Sequence, residues 1–197
     1  MKLIRCVFAL WVIAALASAC SKSNDPAAAD ADAKTLAPSP IAGDKAFDAV
    51  AQRATGFATG PAEGRTVYVL FDTQCPHCGD LWEAAKPLRD KVRMVWIPVR
   101  LLGPRSREQG AALLAASDPV RAMDEHEKSR RADGKGIEAP SGLDPSFYKK
   151  MTANTQLFVD LGQGSVPLMV WRQPLSGKTL MTTGAMPTSE LTKVLGL

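Results

Sequence analysis

The sequence predicts an α/β protein, a β-sheet with helices packed on its faces. Three observations predict it. The run Val67-Tyr68-Val69-Leu70-Phe71 is continuously apolar and β-rich, as in a strand covered on both faces. Stretches of that kind alternate along the chain with stretches of helical periodicity, in the order strand, helix, strand, helices, strand, strand, helix. The composition is that of an ordinary globular chain: 46% hydrophobic and 22% charged over 197 residues. It excludes a disordered, collagen-like or polytopic membrane chain, and a net charge of +4 is too small to argue for a nucleic-acid partner.

Residues 1–19 read as a secretory signal. Lys2 and Arg5 form a positive start, an apolar run follows from Cys6 to Ala19, and Ala17-Ser18-Ala19 is a small-residue cleavage pattern. The run is shorter than the about 20 residues a membrane span needs; the competing reading is an N-terminal core helix. Cys20 follows directly. Leu16-Ala17-Ser18-Ala19-Cys20 resembles a bacterial lipobox, with the leucine one place further from the cysteine than usual. The resemblance implies a lipid on Cys20 and, with Ser21 in place of aspartate, tethering to the outer membrane. The same small residues also suit ordinary signal peptidase, which would leave a free periplasmic protein. Residues 20–43, rich in Ala, Asp, Ser and Pro, are too poor in large apolar residues to fold and read as a flexible linker.

The domain is expected over residues 44–197. Phe47, Val50, Ala51 and Ala54 fall at helical spacing, which predicts a short amphipathic helix from Asp44 to about Thr55. Gly56 to Gly64 reads as a loop. The apolar run 67–71 is the first strand. A helix is expected from Cys75 to about Asp90, kinked or ended by Pro87. A second strand covers Val92 to Val99. Arg105 to Leu161 reads as helical, with Asp118-Pro119 and Asp144-Pro145 as cap-plus-proline starts and a Gly/Pro-rich loop from Asp133 to Gly142. After Pro167 come the strand Leu168–Trp171, a turn around Pro174 to Gly177, the strand Thr179–Thr183, and a last helix from Thr188 to Leu195.

The most specific motif is Cys75-Pro76-His77-Cys78, placed after a strand and opening a helix. Residues three apart on a helix lie about 5–6 Å from each other, within the Cα range that a disulfide accepts. The pair can therefore close and reopen without moving the backbone. Cys75 lies at the helix N-terminus, where unpaired N–H groups and the macrodipole favour a thiolate, so it is the nucleophile. Pro76 suits the first turn because it has no N–H to leave unpaired. His77 adds a stabilising charge or donor. Cys78, one turn in and less exposed, resolves the mixed disulfide. A structural bridge is the bland alternative, but so short a loop restrains the unfolded chain little. A zinc site needs about four ligands, and two thiols with His126 fall short; no metal and no cofactor are expected. Haem attachment fails because Gly79 follows the second cysteine.

Of the four cysteines, Cys6 is in the signal and Cys20 at its end. One redox-type pair remains in the domain. Val166-Pro167, just ahead of a strand, is read as a cis-proline whose preceding backbone pairs with substrate as a short edge strand; the bland alternative is a strand-start proline.

These stretches resemble the thioredoxin superfamily and, more closely, the catalytic domain of periplasmic disulfide isomerases and reductases of the DsbC/DsbG kind. The resemblance runs from Asp44 to Leu197. Val67 to Cys78, Pro87, Asn154 to Pro167 and Gly184 carry it. It implies a thioredoxin-like fold with a helical insertion between the active-site helix and second strand and the cis-proline. It also implies Cys75 as nucleophile, Cys78 as resolving cysteine and Pro167 as the cis-proline. The Pro-His dipeptide and Val166 resemble instead the DsbA oxidases. The N-terminal dimerisation domain of DsbC and DsbG finds no room between Cys20 and Val67, so a monomer is expected. The leading expectation is a thiol–disulfide oxidoreductase acting on cysteine-containing envelope proteins and recycled by a membrane redox partner, leaning to reductase. A DsbA-like oxidase is the alternative. From another class, a thioredoxin-fold lipoprotein that carries a metal or binds clients remains open, although Met151, Met169, Met181 and Met186 are scattered. Other residues receive plain readings. Leu81 and Trp82 are core or cleft-lining, Lys128, Arg130 and Arg131 a solvated helix face, His126 a surface helix residue, and Asp72 stands where the resemblance repeats an aspartate, which leaves a role in tuning open.

Overall fold

The strand β2 (Thr66–Phe71) lies at the centre of a five-stranded sheet, which is why its sequence is apolar without alternation. The computed structural model describes residues 40–197; the signal reading of 1–19, Cys20 and the linker up to residue 39 lie outside the described residues. The sheet order is β1-β3-β2-β4-β5. β3 (Arg93–Pro98) runs parallel to β2, while β1 (Phe57–Thr59), β4 (Leu168–Arg172) and β5 (Thr179–Thr183) pair antiparallel with their neighbours.

Residue parity on β2 sorts the core. Val67, Val69 and Phe71 point to one face, where they meet α2 (Pro76–Ala85), α6 (Thr188–Leu195) and Met123 of α4 (Pro119–Asp133). Leu70 points to the other face, against α1 (Ala46–Arg53) and α5 (Pro145–Asp160) through Val50, Leu157 and Phe158. On the first face Trp82 stacks edge-on to Trp96 at 4.8 Å between ring centres, and Trp96 meets Phe71 at 5.9 Å. Of the two readings of Leu81 and Trp82, core and cleft-lining, the structure gives the core.

Helices α3 (Pro104–Ala115), α4 and α5 form the insertion between β3 and β4. The two proline starts hold: Asp118 accepts from the Arg121 N–H at 3.0 Å and Asp144 from that of Ser146 at 2.7 Å. α2 stops at Ala85 and gives way to a 3-10 turn, Lys86–Leu88, at the proline expected to break it. One element departs from expectation. The segment read as a loop contains β1, three residues too short to show a period. It sits close against β3 because Gly56 has no Cβ; one there would lie 2.4 Å from the Trp96 carbonyl oxygen. The domain also gathers residues ahead of Asp44, since the Ile41 N–H donates to the Asp160 carbonyl at 2.8 Å.

Candidate active site

β2 delivers the chain to the site through a tight turn. The Cys75 N–H donates to the Asp72 carbonyl at 3.0 Å, and Cys75 then caps α2 in extended conformation, with Pro76 in the first turn. Asp72 is fully buried and holds four donors. Its carboxylate accepts from the N–H of Gln74 at 2.8 Å, the Ser106 hydroxyl at 2.7 Å, and the N–H groups of Leu101 and Leu102 at 2.7 and 3.0 Å. It thus ties the turn before Cys75 to the segment that leaves β3 and to α3.

Both thiols are free. Cys75 is 8% exposed and Cys78 is 0% exposed, so the first meets solvent and the second lies beneath it. A hydrogen bond from the Cys78 thiol pulls the Cys75 thiol down to about 6. The N–H groups of Cys78 and His77 and the His77 charge act in the same direction, against the opposing effect of burial. Burial, and then the neighbouring Cys75, push the Cys78 thiol far up. The two sulfurs are therefore inequivalent in the sense that their places on α2 suggest. His77 is 73% exposed in its side chain and lies 3.7 Å from Asp80.

Across from the pair, the Val166–Pro167 peptide bond is cis. The Cys75 thiol points at the Val166 carbonyl oxygen at 3.7 Å. Cys75, Pro76, His77, Cys78, Val166 and Pro167 thus come together, although Val166 is far from the cysteines in sequence. Cys20 lies outside the described residues. Among those described, no group of three or more His, Cys, Asp and Glu side chains could hold a metal ion.

Helix α4 is closer to the site than its sequence suggests, and two readings are corrected. His126 is 0% exposed rather than on the surface. Its Nε2 lies 2.8 Å from the Thr73 carbonyl oxygen, and its Nδ1 accepts from the Ile137 N–H at 3.2 Å. The ring is thereby used on both sides in its neutral form, and burial lowers its pKa. Lys128 and Arg131 are exposed as expected and Arg130 is half-buried, but both arginines also reach backbone carbonyls. Arg130 Nη2 donates to the Gln74 carbonyl at 2.8 Å, and Arg131 Nη2 to the Gly79 carbonyl at 3.1 Å. The high polarity of α4 hid these contacts.

Glu127, also unread in the sequence, is 5% exposed and packs on α2 at Gly79; a Cβ there would lie 2.1 Å from its Oε2. Burial pushes its carboxyl up to about 7, opposed by Arg131 and Arg130. Glu127 stands four residues after the buried Met123 and so shares its face of α4, the signal by which the sequence could have shown it.

A sheet of this order, with a thiol pair at the start of its packed helix and a cis-proline facing the first thiol, is a thioredoxin-like fold. The chain is similar to the thiol:disulfide interchange protein DsbG of Pseudomonas aeruginosa, with 28% identity over 148 residues, covering 74% of this chain and 57% of the relative. It is similar also to DsbG of Escherichia coli, with 32% identity over 108 residues, covering 53% of this chain and 42% of the relative. The chain therefore spans about half the length of these curated relatives. Among solved structures it resembles a periplasmic thioredoxin-like protein from Salmonella enterica serovar Typhimurium. There the TM-score is 0.62 and the identity 18%, with 79% of this chain and 97% of that one covered. No family model matches.

Proposed function

We propose that the protein is a periplasmic thiol–disulfide oxidoreductase of DsbG-like form, exchanging disulfides with cysteine-containing envelope proteins. The observation that carries this is the Cys75 thiol: drawn down to about 6, set at the N-terminus of α2, and aimed at the Val166 carbonyl. In the reductase direction, the Cys75 thiolate attacks one sulfur of a client disulfide. A Cys75–client disulfide forms, and the client's other sulfur leaves as a thiolate that takes up a proton. Cys78 then loses its proton and attacks Cys75 Sγ, and the client's first sulfur leaves. The client disulfide has become a dithiol, and Cys75–Cys78 the disulfide. Val166 offers its backbone to the client as a short strand, beside Pro167. A membrane redox partner returns the pair to its starting state.

The reductase lean comes from the likeness to DsbG. A second reading, a DsbA-like oxidase, is favoured by the lowered Cys75 thiol, because stabilising the thiolate stabilises the reduced form and raises the potential. The wider organisation we propose is a signal over 1–19, a lipid on Cys20, a linker over 20–43 and a monomeric domain over 44–197, with no nucleic-acid partner. The mass of the mature N-terminus tests the lipid.

The test of the function joins two measurements. Alkylation of Cys75, mapped by peptide mass against pH, should show a midpoint of about 6. The Cys78→Ala variant should trap mixed disulfides with envelope proteins. A Cys75 midpoint near the ordinary thiol value of about 8.5, with neither insulin reduction nor refolding activity, would overturn the reading; the measured potential separates reductase from oxidase.

A further inference from the structure

We propose that Arg130 is a positioning residue for Cys75. By gripping the Gln74 carbonyl it fixes the peptide plane that carries the nucleophile's own amide, and so holds the thiol against the donors that stabilise its thiolate. The inference rests on the thiol-exchange reading above and adds a residue to it from outside the motif.

The turn from Asp72 to Cys75 consumes the N–H groups of Gln74 and Cys75. Cys75 N–H donates to the Asp72 carbonyl and Gln74 N–H to the Asp72 carboxylate. The carbonyls of Thr73 and Gln74 remain, and both face α4. His126 takes the first through Nε2 and Arg130 the second through Nη2, each at 2.8 Å. Arg130 does more with the same fork. Its Nη1 donates to Gln74 Oε1 at 3.2 Å and to the Gly134 carbonyl at 2.7 Å. The Gln74 amide donates in turn to Gln109 Oε1, and Gln109 Nε2 donates to the carbonyls of Lys135 and Ile137 at 2.7 and 2.8 Å. The Ile137 N–H returns to His126 Nδ1. The circuit closes on itself, with donors matched to acceptors around the two residues that precede the nucleophile.

Its effect on Cys75 follows from covalent geometry. The Gln74 carbonyl and the Cys75 N–H share one rigid plane. Holding that oxygen sets the rotation about the Cys75 N–Cα bond, here at φ −84°. That rotation decides whether Sγ faces the N–H groups of His77 and Cys78 and the Cys78 thiol, the donors that lower it. Freed from Arg130, the carbonyl would find water and the plane would sample other angles, so the thiolate would lose part of its donor set. The grip needs a planar fork. A lysine keeps the charge but is a point donor and cannot span Gln74 O, Gln74 Oε1 and Gly134 O together.

The test uses the full chain in its reduced form, with Cys75 alkylation by iodoacetamide mapped by peptide mass against pH. Thermal unfolding serves as the folding control, and Lys128→Ala, on the solvated side of α4, as the neutral comparison. Both Arg130→Ala and Arg130→Lys should move the Cys75 midpoint upward and slow alkylation at pH 6 roughly threefold or more. An unchanged midpoint in folded Arg130→Ala overturns the proposal. So does full recovery in Arg130→Lys, which would make charge, and not grip, the cause. If the alanine variant does not fold, the lysine variant decides alone. A wild-type midpoint near the ordinary thiol value would instead overturn the functional reading beneath it, so the two failures are distinct.

Discussion

Replacing Glu127 by glutamine should make the protein more stable above neutral pH and change it little in acid. Glu127 is 5% exposed, and its carboxyl is pressed on α2 where Gly79 leaves room for it. Burial raises it to about 7 from an ordinary 4.5. A raised carboxyl means that the folded state binds the proton more tightly than the unfolded chain does. Its stabilising effect is therefore complete below the unfolded value, 4.5, and is lost as pH rises through about 7. A tenfold difference in proton affinity between the folded and unfolded chain corresponds to about 1.4 kcal/mol, so the ionised carboxylate costs the folded state about 3 kcal/mol above that range. Glutamine keeps the shape and never ionises. The assay is urea denaturation of both proteins at about pH 4 and about pH 8, read as the difference between them. The stability of the variant relative to wild type should rise by about 3 kcal/mol from the acid to the alkaline measurement. Arg131 and Arg130 already oppose the rise, so their loss of a partner is included in that figure. If the two proteins keep a constant difference across the range, Glu127 ionises at little cost, and its packing against Gly79 does not strip it of water.

Two further outcomes follow from the same region. Asp72→Ala orphans four donors, two of them N–H groups of the segment that leaves β3, and should cost about 3 kcal/mol or more in denaturant unfolding; a loss below about 1 kcal/mol would show that water replaces the carboxylate. His126 titrates in the opposite sense to Glu127. Its folded pKa is lowered below 6.5 by burial, so its stability is complete above 6.5 and is lost as pH falls toward the folded value. His126→Gln should remove that acid-side loss, and an unchanged acid limb would refute the neutral, doubly bonded ring.

β2, α2 and α6 were legible because each has a strong period or boundary: an apolar run, a proline in the first turn, a final amphipathic helix. β1 was not, since three residues between glycines carry no period and form a strand only when β3 offers its edge. The cysteine motif was legible because its chemistry is local, and Val166-Pro167 because it stands just ahead of a strand and downstream of that motif. His126, Glu127 and Arg130 were misread or missed because polar residues on a polar helix look solvated.

The sequence by itself determined the thiol pair, its place at a helix start and the order of its cysteines. These depend on residues adjacent along the chain, whose geometry covalent bonds and helix periodicity dictate. Only the tertiary structure decided what holds that pair in place. Helix α4 reaches the two carbonyls before Cys75 from about fifty residues away. Whether a histidine or arginine there meets water or backbone depends on how α4 packs beside α2, which no local pattern encodes.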